Sequence, residues 1–202
     1  MAFIFDLDGT LLLLPVDWVT AREELSDMMK GPLDPLNPIF VTLERFLAKE
    51  PGRRAEVLAL LDRFESPALE RTELYPGARE VLEALKPAKL ALVTMQGRKA
   101  VDSLFRSLRI DGRFRKIITR EDSMNRAEQL RMAARALGVD HSAAVFTGDR
   151  RNDLEAAKEV GMRFIMMRSL LDSMPDVHSY VDMKELLAAL LSENGQVSMV
   201  RP

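Results

Sequence analysis

Five short, mainly apolar segments constrain the fold of this 202-residue chain more than any other feature. They are Ala2 to Asp6, Lys89 to Thr94, Arg115 to Thr119, Ala143 to Thr147 and Arg163 to Met167. Each has the length of a β-strand and is closely followed by polar or glycine residues, which is typical of strands buried in a parallel sheet. Amphipathic helical patterns separate the later segments. This alternation predicts an α/β protein with a parallel sheet.

Four amphipathic segments are predicted as helices that cover the faces of this sheet. They are Gly77 to Leu85, Arg98 to Leu108, Asn125 to Leu137 and Asp153 to Val160. In each of them apolar residues recur at intervals of three or four positions, which places them on one face of a helix. Gly138 and Gly161 follow the last two segments, and glycine is the residue type that commonly ends a helix.

The segment from about Pro15 to Thr72 departs from the alternation, because it offers three amphipathic helical stretches and no convincing strand. Proline and glycine residues separate these stretches, as at Gly31 and Pro51. We therefore predict a small helical module that is inserted into the α/β core. The predicted boundaries are residues 1–14 and 73–192 for the core, 15–72 for the helical module and 193–202 for a polar tail that frays.

Charge and composition exclude several classes of function. The chain has 29 Lys and Arg against 31 Asp and Glu, so no overall field draws it to nucleic acid or to an anionic membrane. It has no cysteine, which excludes disulfides, thiolate zinc sites and cysteine nucleophiles. His141 and His178 are far apart in the sequence and are not assigned to a site. We expect a cytoplasmic protein whose metal site, if it has one, consists of carboxylates.

Paired aspartates follow two of the predicted strands. Asp6 and Asp8 come at the end of the first strand, and Gly148, Asp149 and Asp153 follow the strand that ends near Thr147. Ligands of open α/β sheets bind outside the carboxyl ends of the strands, so both groups have the position of a site. The alternative is that these aspartates cap helices and fill turns, as Asp often does.

A cation becomes necessary if the sheet brings these two strand ends together. Two carboxylates about 4 Å apart repel each other by about 4 kcal/mol at an effective dielectric constant near 20. Oxygen ligands without histidine or thiolate favour a hard ion, and Mg²⁺ usually binds one or two carboxylates, water and a substrate phosphate. The two aspartate groups therefore indicate phosphate chemistry with Mg²⁺ as the cofactor.

The same residues resemble the motifs of a known superfamily. The run Asp6-Leu7-Asp8-Gly9-Thr10-Leu11 resembles the opening motif of the haloacid dehalogenase superfamily, and Gly148-Asp149 through Asp153 resembles its closing metal motif. Thr94, at the end of an apolar strand, resembles the second motif. The resemblance implies a Rossmann-like, three-layer core, with the helical module as a cap inserted between the first and second motifs.

The resemblance also implies a role for each site residue. Asp6 would attack phosphorus as a covalent nucleophile, and Asp8 would serve as acid and base and lend its backbone carbonyl to the metal. Asp149 would complete the metal ligands, and Thr94 and Met95 would bind the phosphate. The supporting residues implied in this way are Gly9, Thr10, Gly148 and Asp153.

Two positions depart from the superfamily pattern. Met95 stands where an asparagine is common, so one polar contact to phosphate is missing or comes from Gln96. The stretch Thr119 to Leu137 contains no lysine where the third motif usually has one. Arg126 is the nearest cationic substitute and Arg120 the second candidate, although a guanidinium does not reproduce the point charge of a lysine. Arg126 could instead be an ordinary solvated arginine on a helix surface.

The resulting prediction is a Mg²⁺-dependent phosphatase that hydrolyses a small phosphate monoester through an aspartyl-phosphate intermediate. Within the resemblance, the acid at Asp8 argues against a dehalogenase or a P-type ATPase. A phosphomutase stays open, as does a phosphate-ligand sensor or partner-binding protein with little turnover. The expected partner is a small phosphorylated metabolite such as a sugar phosphate or phosphoglycolate, with no nucleic acid and no membrane. The oligomeric state cannot be predicted from the sequence.

Overall fold

A six-stranded parallel sheet forms the centre of the protein. The computed structural model describes residues 2–31, 33, 38–167, 179–180 and 182–191. The strands are β1 (Ala2–Phe5), β2 (Lys89–Val93), β3 (Lys116–Ile118), β4 (Ala144–Gly148), β5 (Arg163–Met167) and β6 (Ser179–Tyr180). Their order across the sheet is β3-β2-β1-β4-β5-β6, and every pairing is parallel. The predicted α/β class with a parallel sheet is therefore confirmed.

Helices cover both faces of the sheet, because side chains alternate along each strand. On β1, Phe3 and Phe5 pack in one apolar cluster, whereas Ala2 and Ile4 pack in another. The first cluster also contains apolar residues of α4 (Ala78–Ala84), α5 (Arg98–Leu108) and α8 (Met183–Leu191). The second contains those of α6 (Arg126–Leu137) and α7 (Arg151–Val160). This arrangement confirms the predicted three-layer, Rossmann-like core.

The segment between β1 and α4 is helical over most of its described length. It contains α1 (Trp18–Met29), α2 (Ile39–Lys49) and α3 (Arg54–Glu65), and short 3₁₀ helices follow α2 and α3. These helices share an apolar cluster of their own, which includes Leu25, Leu43 and Leu61. Met124, from the loop before α6, also belongs to this cluster. We call this helical segment, from about residue 15 to 72, the cap.

Several sequence expectations differ from the structure in detail. The helix predicted from Asp153 begins two residues earlier, at Arg151, because the Asp153 carboxylate accepts the backbone N–H of Arg150 and caps the first turn. The two-residue strand β6 and helix α8 were not predicted as elements. His178 and the tail 193–202 lie outside the described residues. Within the described part of the chain, no helix is long and apolar enough to span a membrane.

Candidate active site

The order of the strands brings three predicted site segments to one edge of the sheet. Strand β1 lies between β2 and β4, with Phe5 opposite Leu92 on one side and Thr147 on the other. Asp6 follows β1, and its backbone N–H donates to the carbonyl of Thr147 over 2.9 Å. Thr94 follows β2, and Asp149 follows β4. Residues far apart in the sequence therefore meet where the strands end.

Three buried carboxylates form a cluster at this edge. Asp6, Asp149 and Asp153 each have an oxygen within 4.8 Å of the corresponding oxygens of the other two. Asp153, predicted as a supporting residue, thus lies in the cluster itself. The Asp8 carboxylate is not among these three, and its Oδ1 accepts the backbone N–H of Leu14 over 2.7 Å. The metal contact that the resemblance implies for Asp8 is through its backbone carbonyl and stays a prediction.

Gly9 explains how the loop after β1 approaches Asp149 so closely. Its φ of +83° lies in the left-handed region, and a β-carbon at this position would lie 2.2 Å from Oδ2 of Asp149. Any side chain here would therefore be strained and would also collide with a carboxylate. The neighbouring Thr10 is fully buried. Gly9 is thus required both by the turn and by the acidic group that it faces.

Burial and mutual repulsion raise the pKa values of the carboxyl groups. Burial raises the pKa of Asp6 well above its ordinary value; Arg126 opposes this rise, and Asp153, Asp149 and Asp8 add to it. Burial also raises the pKa of Asp8 to about 6, and the N–H of Leu14 limits the rise. An oxygen-only, buried cluster with excess negative charge fits a hard divalent cation. Asp6, Asp149 and Asp153 could hold such an ion.

Arg126 contacts two of the three carboxylates in this cluster. It is the first residue of α6, and its side chain is only 8% exposed. Nη2 lies 2.9 Å from Oδ1 of Asp6, and Nε lies 2.9 Å from Oδ1 of Asp153. Its pKa is raised, because Asp6 and Asp153 outweigh the effect of burial, which alone would lower it. This is not the placement of a solvated arginine on a helix surface.

Arg120 lies elsewhere. Its buried guanidinium binds Glu65 and Asp62 of the cap and the backbone carbonyl of Met95. Of the two arginines considered for the third motif, Arg126 forms an ion pair with Asp6, whereas the carboxylate partners of Arg120 within the described residues are Asp62 and Glu65. The structure therefore separates the two candidates by position.

The loop after β2 contains the residues expected at the phosphate. The Thr94 hydroxyl is buried, donates to Oε1 of Gln96 and accepts the backbone N–H of Gln96 over 3.2 Å. The Met95 side chain is also buried, and its carbonyl binds Arg120. The Gln96 amide therefore lies beside Thr94, where the sequence suggested that it could replace the missing asparagine. The Thr94 hydroxyl would have to exchange its bond to Gln96 to donate to a phosphate.

Two residues near this edge were not identified from the sequence. Gln129 is fully buried, and its Oε1 accepts Nη1 of Arg126 over 3.0 Å. Gln129 lies three residues after Arg126 and therefore on the same helix face, and this spacing could have identified it from the sequence. Tyr75 is half-buried, and its pKa is raised by burial and by Asp8 and Asp149. No spacing pattern in the sequence singles it out.

Comparison with known proteins gives consistent results. The family model described as "Haloacid dehalogenase-like hydrolase" matches residues 3–167. A phosphoglycolate phosphatase of Synechococcus elongatus is 24% identical over 170 residues, which covers 80% of each chain. A phosphoglycolate phosphatase of Pseudomonas savastanoi pv. phaseolicola is 28% identical over 185 residues, which covers 81% of this chain and 68% of the relative. The predicted enzyme class, a phosphatase of this family, agrees with both relatives.

Solved structures share the fold. A hydrolase from Pseudomonas syringae has a TM-score of 0.73 and 23% identity, and the match covers 94% of this chain and 97% of that one. A haloacid dehalogenase-like family protein from Streptococcus pneumoniae has a TM-score of 0.67 and 19% identity, with coverage of 94% and 97%. At these identities the two structures bear on the fold alone.

Proposed function

Since the chain belongs to the haloacid dehalogenase-like hydrolase family, we propose that it is a Mg²⁺-dependent phosphatase acting on a small phosphate monoester through a phosphorylated Asp6. The observation that carries this proposal is the buried group of Asp6, Asp149 and Asp153 with Arg126 bound to Asp6. A nucleophilic carboxylate, a set of oxygen ligands and a fixed cation are the parts that phosphoryl transfer to an aspartate requires.

Asp6 is the nucleophile in the proposed reaction. One oxygen is held by Arg126 over 2.9 Å, which fixes the orientation of the carboxylate and stabilises its ionised form. The carboxylate attacks phosphorus, the bond to the ester oxygen breaks, and the phosphoryl group is transferred to Asp6. Bound Mg²⁺ would neutralise charge on the carboxylates and on the transferring phosphoryl group. Asp149 and Asp153 are the residues that would hold it together with Asp6.

Asp8 handles the protons in the two steps. With a pKa raised to about 6, its carboxyl group retains a proton at higher pH than an ordinary aspartate does. It donates that proton to the leaving oxygen in the first step. In the second step the Asp8 carboxylate accepts a proton from the water that attacks the phosphorylated Asp6. A pKa near the working pH suits a group that must act as acid and then as base.

The loop from Thr94 to Gln96 is the proposed phosphate-binding segment. The Thr94 hydroxyl and the Gln96 amide are its proposed donors, and Met95 supplies no side-chain donor. The cap, from about residue 15 to 72, is proposed to cover the site and to select the substrate. The relatives named phosphoglycolate phosphatase make phosphoglycolate the first substrate to test among small phosphorylated metabolites.

The test is a turnover screen of the purified protein with Mg²⁺ against phosphate monoesters, including phosphoglycolate, sugar phosphates and p-nitrophenyl phosphate. We expect release of inorganic phosphate that stops in excess chelator. Asp6→Asn should remove the activity, whereas Asp102→Asn, an exposed aspartate on α5, should not. Binding of the esters without hydrolysis would instead favour the alternative of a phosphate sensor. Transfer of phosphate between two sugar hydroxyls would favour a phosphomutase.

A further inference from the structure

A second buried arginine joins the cap to the core. Arg120 follows β3 and is fully buried. Its Nη1 donates to Oε1 of Glu65 and, over 3.1 Å, to the carbonyl of Met95. Its Nη2 donates to Oδ1 of Asp62 over 2.6 Å. We call Asp62, Glu65 and Arg120, with the backbone of Met95 and Gly97, the junction cluster.

The junction cluster fixes the backbone of the proposed phosphate-binding loop. Oε2 of Glu65 accepts the N–H of Gly97 over 3.1 Å, so one cap carboxylate binds both Arg120 and the loop. A β-carbon at Gly97 would lie 2.6 Å from Nη2 of Arg120 and 2.7 Å from Oδ1 of Asp62. The loop can approach this closely only because residue 97 has no side chain. A shift of the cap would therefore remove contacts from the loop.

The contacts continue from this loop to the nucleophile. Nε2 of Gln129 donates to the carbonyl of Thr94 over 2.9 Å and to that of Ser123 over 2.8 Å. Oε1 of the same residue accepts Nη1 of Arg126, and Arg126 binds Asp6. Gln129 thus ties the position of Arg126 to the loop that the junction cluster holds. A continuous series of hydrogen bonds and backbone segments therefore connects the cap to Asp6.

A separate set of contacts docks the loop before α6 on the cap. Met124 is buried in the apolar cluster of the cap. Nη2 of Arg54 donates to the carbonyls of Arg120 over 3.3 Å and of Glu121 over 2.9 Å. This loop ends at Asn125, which caps α6 by accepting the N–H of Glu128 over 2.9 Å. Arg126 is the next residue, so both routes lead to it.

Stability alone does not account for a buried arginine at this place. Buried ion pairs are costly to desolvate, and apolar replacements of similar size are often neutral or stabilising. An arginine does, however, fix several acceptors in a defined geometry, because its donors lie in a rigid plane. Arg120 uses that property to hold two cap carboxylates and one loop carbonyl at once.

We propose that Arg120 is a positioning residue, which seats the cap on the loop of residues 94–97 and thereby fixes Arg126 against Asp6. The active site is then assembled only when the cap is seated. The inference deepens the proposed function and rests on it wherever turnover is the readout. It predicts that loosening the junction cluster slows the chemical step, although the junction cluster shares no atom with Asp6, Asp149 or Asp153.

The central experiment separates positioning from stability. In Arg120→Met the Glu65 carboxylate stays buried without its cation, so the protein should lose stability. The double variant Arg120→Met/Glu65→Leu removes the fully buried ion pair and leaves the partly exposed Asp62, so the melting temperature should recover. With p-nitrophenyl phosphate and Mg²⁺, kcat of the double variant should nevertheless stay about tenfold or more below wild type, since small misplacements of reacting groups are costly. Recovery of kcat together with stability would overturn the proposal.

The matched control is the ion pair between Arg113 and Glu83, which also joins two separate segments but lies away from the site. Arg113→Met/Glu83→Leu should leave kcat within about twofold of wild type, since a partly exposed pair away from the site contributes little to its geometry. A loss of kcat as large as that of the junction variant would mean that any ion-pair removal has this effect. That result would also contradict the proposal.

Arg120→Lys keeps the charge and covers the case in which the double variant does not fold. A lysine cannot hold all three acceptors, so amide hydrogen exchange should become faster in residues 54–71, 94–97 and 126–130 together. Faster exchange confined to residues 54–71 would reject the coupling. This measurement needs no turnover, so a wild-type protein without phosphatase activity would refute the proposed function while the coupling could still be decided.

Discussion

Two parts of the molecule combine buried carboxylates with a buried arginine: the acidic cluster of Asp6, Asp149 and Asp153, and the junction cluster. Their charge balance differs. At the junction, Arg120 faces Asp62 and Glu65, and Lys99 lies 3.8 Å from Asp62. Positive and negative charges there are equal in number. In the acidic cluster, Arg126 binds two of the three carboxylates, those of Asp6 and Asp153, and the half-exposed Arg150 lies 3.3 Å from Asp149. Excess negative charge therefore distinguishes the proposed reactive cluster from the positioning one.

The two arginines lie close together in the sequence and differ in what they hold. Arg120 binds cap carboxylates and a loop carbonyl, whereas Arg126 binds Asp6 and Asp153. Both arginines are buried and bind carboxylates, but we propose that Arg120 positions the cap whereas Arg126 contacts the nucleophile. Variants in the acidic cluster should affect individual chemical steps, while variants at the junction should affect the geometry of the whole site.

The largest effect is expected for Asp6→Asn. The variant lacks the attacking carboxylate, so neither phosphoenzyme nor phosphate should form, and turnover should fall on the order of 10³-fold or more with every substrate. Phosphate release and intact mass would be measured together. Because a neutral amide also relieves the repulsion in the cluster, the protein should remain folded in circular dichroism. Residual activity near that of wild type would remove Asp6 from the proposed reaction.

Asp8→Asn should fail at a different step. Loss of the acid and base should lower turnover of alkyl phosphates by roughly 10²- to 10⁴-fold. With p-nitrophenyl phosphate, whose leaving group needs little protonation, one burst of nitrophenolate should precede a stall at the phosphorylated enzyme. Rapid mixing detects the burst, and a mass increase removed by alkaline hydroxylamine detects the acyl phosphate. If wild type turns over and no adduct forms in repeated trials, water attacks phosphorus directly.

Arg126→Ala should lower kcat by about 10²-fold, since it removes the cation that contacts the nucleophile. Arg126→Lys should retain more activity than the alanine variant, because it keeps a charge near Asp6. Steady-state kinetics with p-nitrophenyl phosphate would measure both. The control is Arg131→Ala, an exposed α6 residue paired with Glu159. Equal activity of Arg126→Ala and Arg131→Ala would show that the contact with Asp6 has no catalytic value.

The smallest effect is expected in the stability of the metal-free protein. The pKa of Asp8 is about 6 in the folded state, above its ordinary value of 3.8, so folding favours the protonated form. Its contribution to stability is then present below about pH 4 and is lost as pH rises through 6. The melting temperature should fall over this window, and Mg²⁺ should raise it more at pH 7 than at pH 5. Burial raises the pKa of Glu65 as well, so the slope should become shallower but remain in Arg120→Met/Glu65→Leu.

An equal gain from Mg²⁺ at both pH values would place the ion away from these carboxylates. Loss of the slope in the junction variant would place the titration at Glu65 instead. Differential scanning fluorimetry across the pH range, with and without Mg²⁺, distinguishes these outcomes.

The core of the fold could be predicted from the sequence because its signals are local. Strands that are buried on both faces are mainly apolar, as all of β1 and the first three residues of β4 are. Ligand sites in parallel sheets lie outside the carboxyl ends of the strands, so the aspartates after β1 and β4 could be recognised as candidate site residues. Strand β6 escaped prediction because two residues, Ser179–Tyr180, have no periodicity to recognise.

Contacts between distant segments could not be predicted in this way. Glu65 and Arg120 are separated by 55 positions, and nothing near either residue indicates the other. Arg120 was considered for the third motif because of its charge, and only the fold places its side chain against the cap. Arg126 lies at a helix start, where a helical pattern alone does not tell whether the side chain faces solvent or the sheet.

The central place of β1 in the sheet also bears on how the protein is synthesised. This strand is synthesised before both of its neighbours, β2 and β4, so its second edge stays unpaired until residue 144 has been made. Long-range pairing of this kind slows folding, and unpaired strand edges invite aggregation. Asp6 likewise acquires Arg126 and Asp149 only after those residues have been made. An N-terminal fragment that ends before β4 should therefore need a chaperone to stay unaggregated.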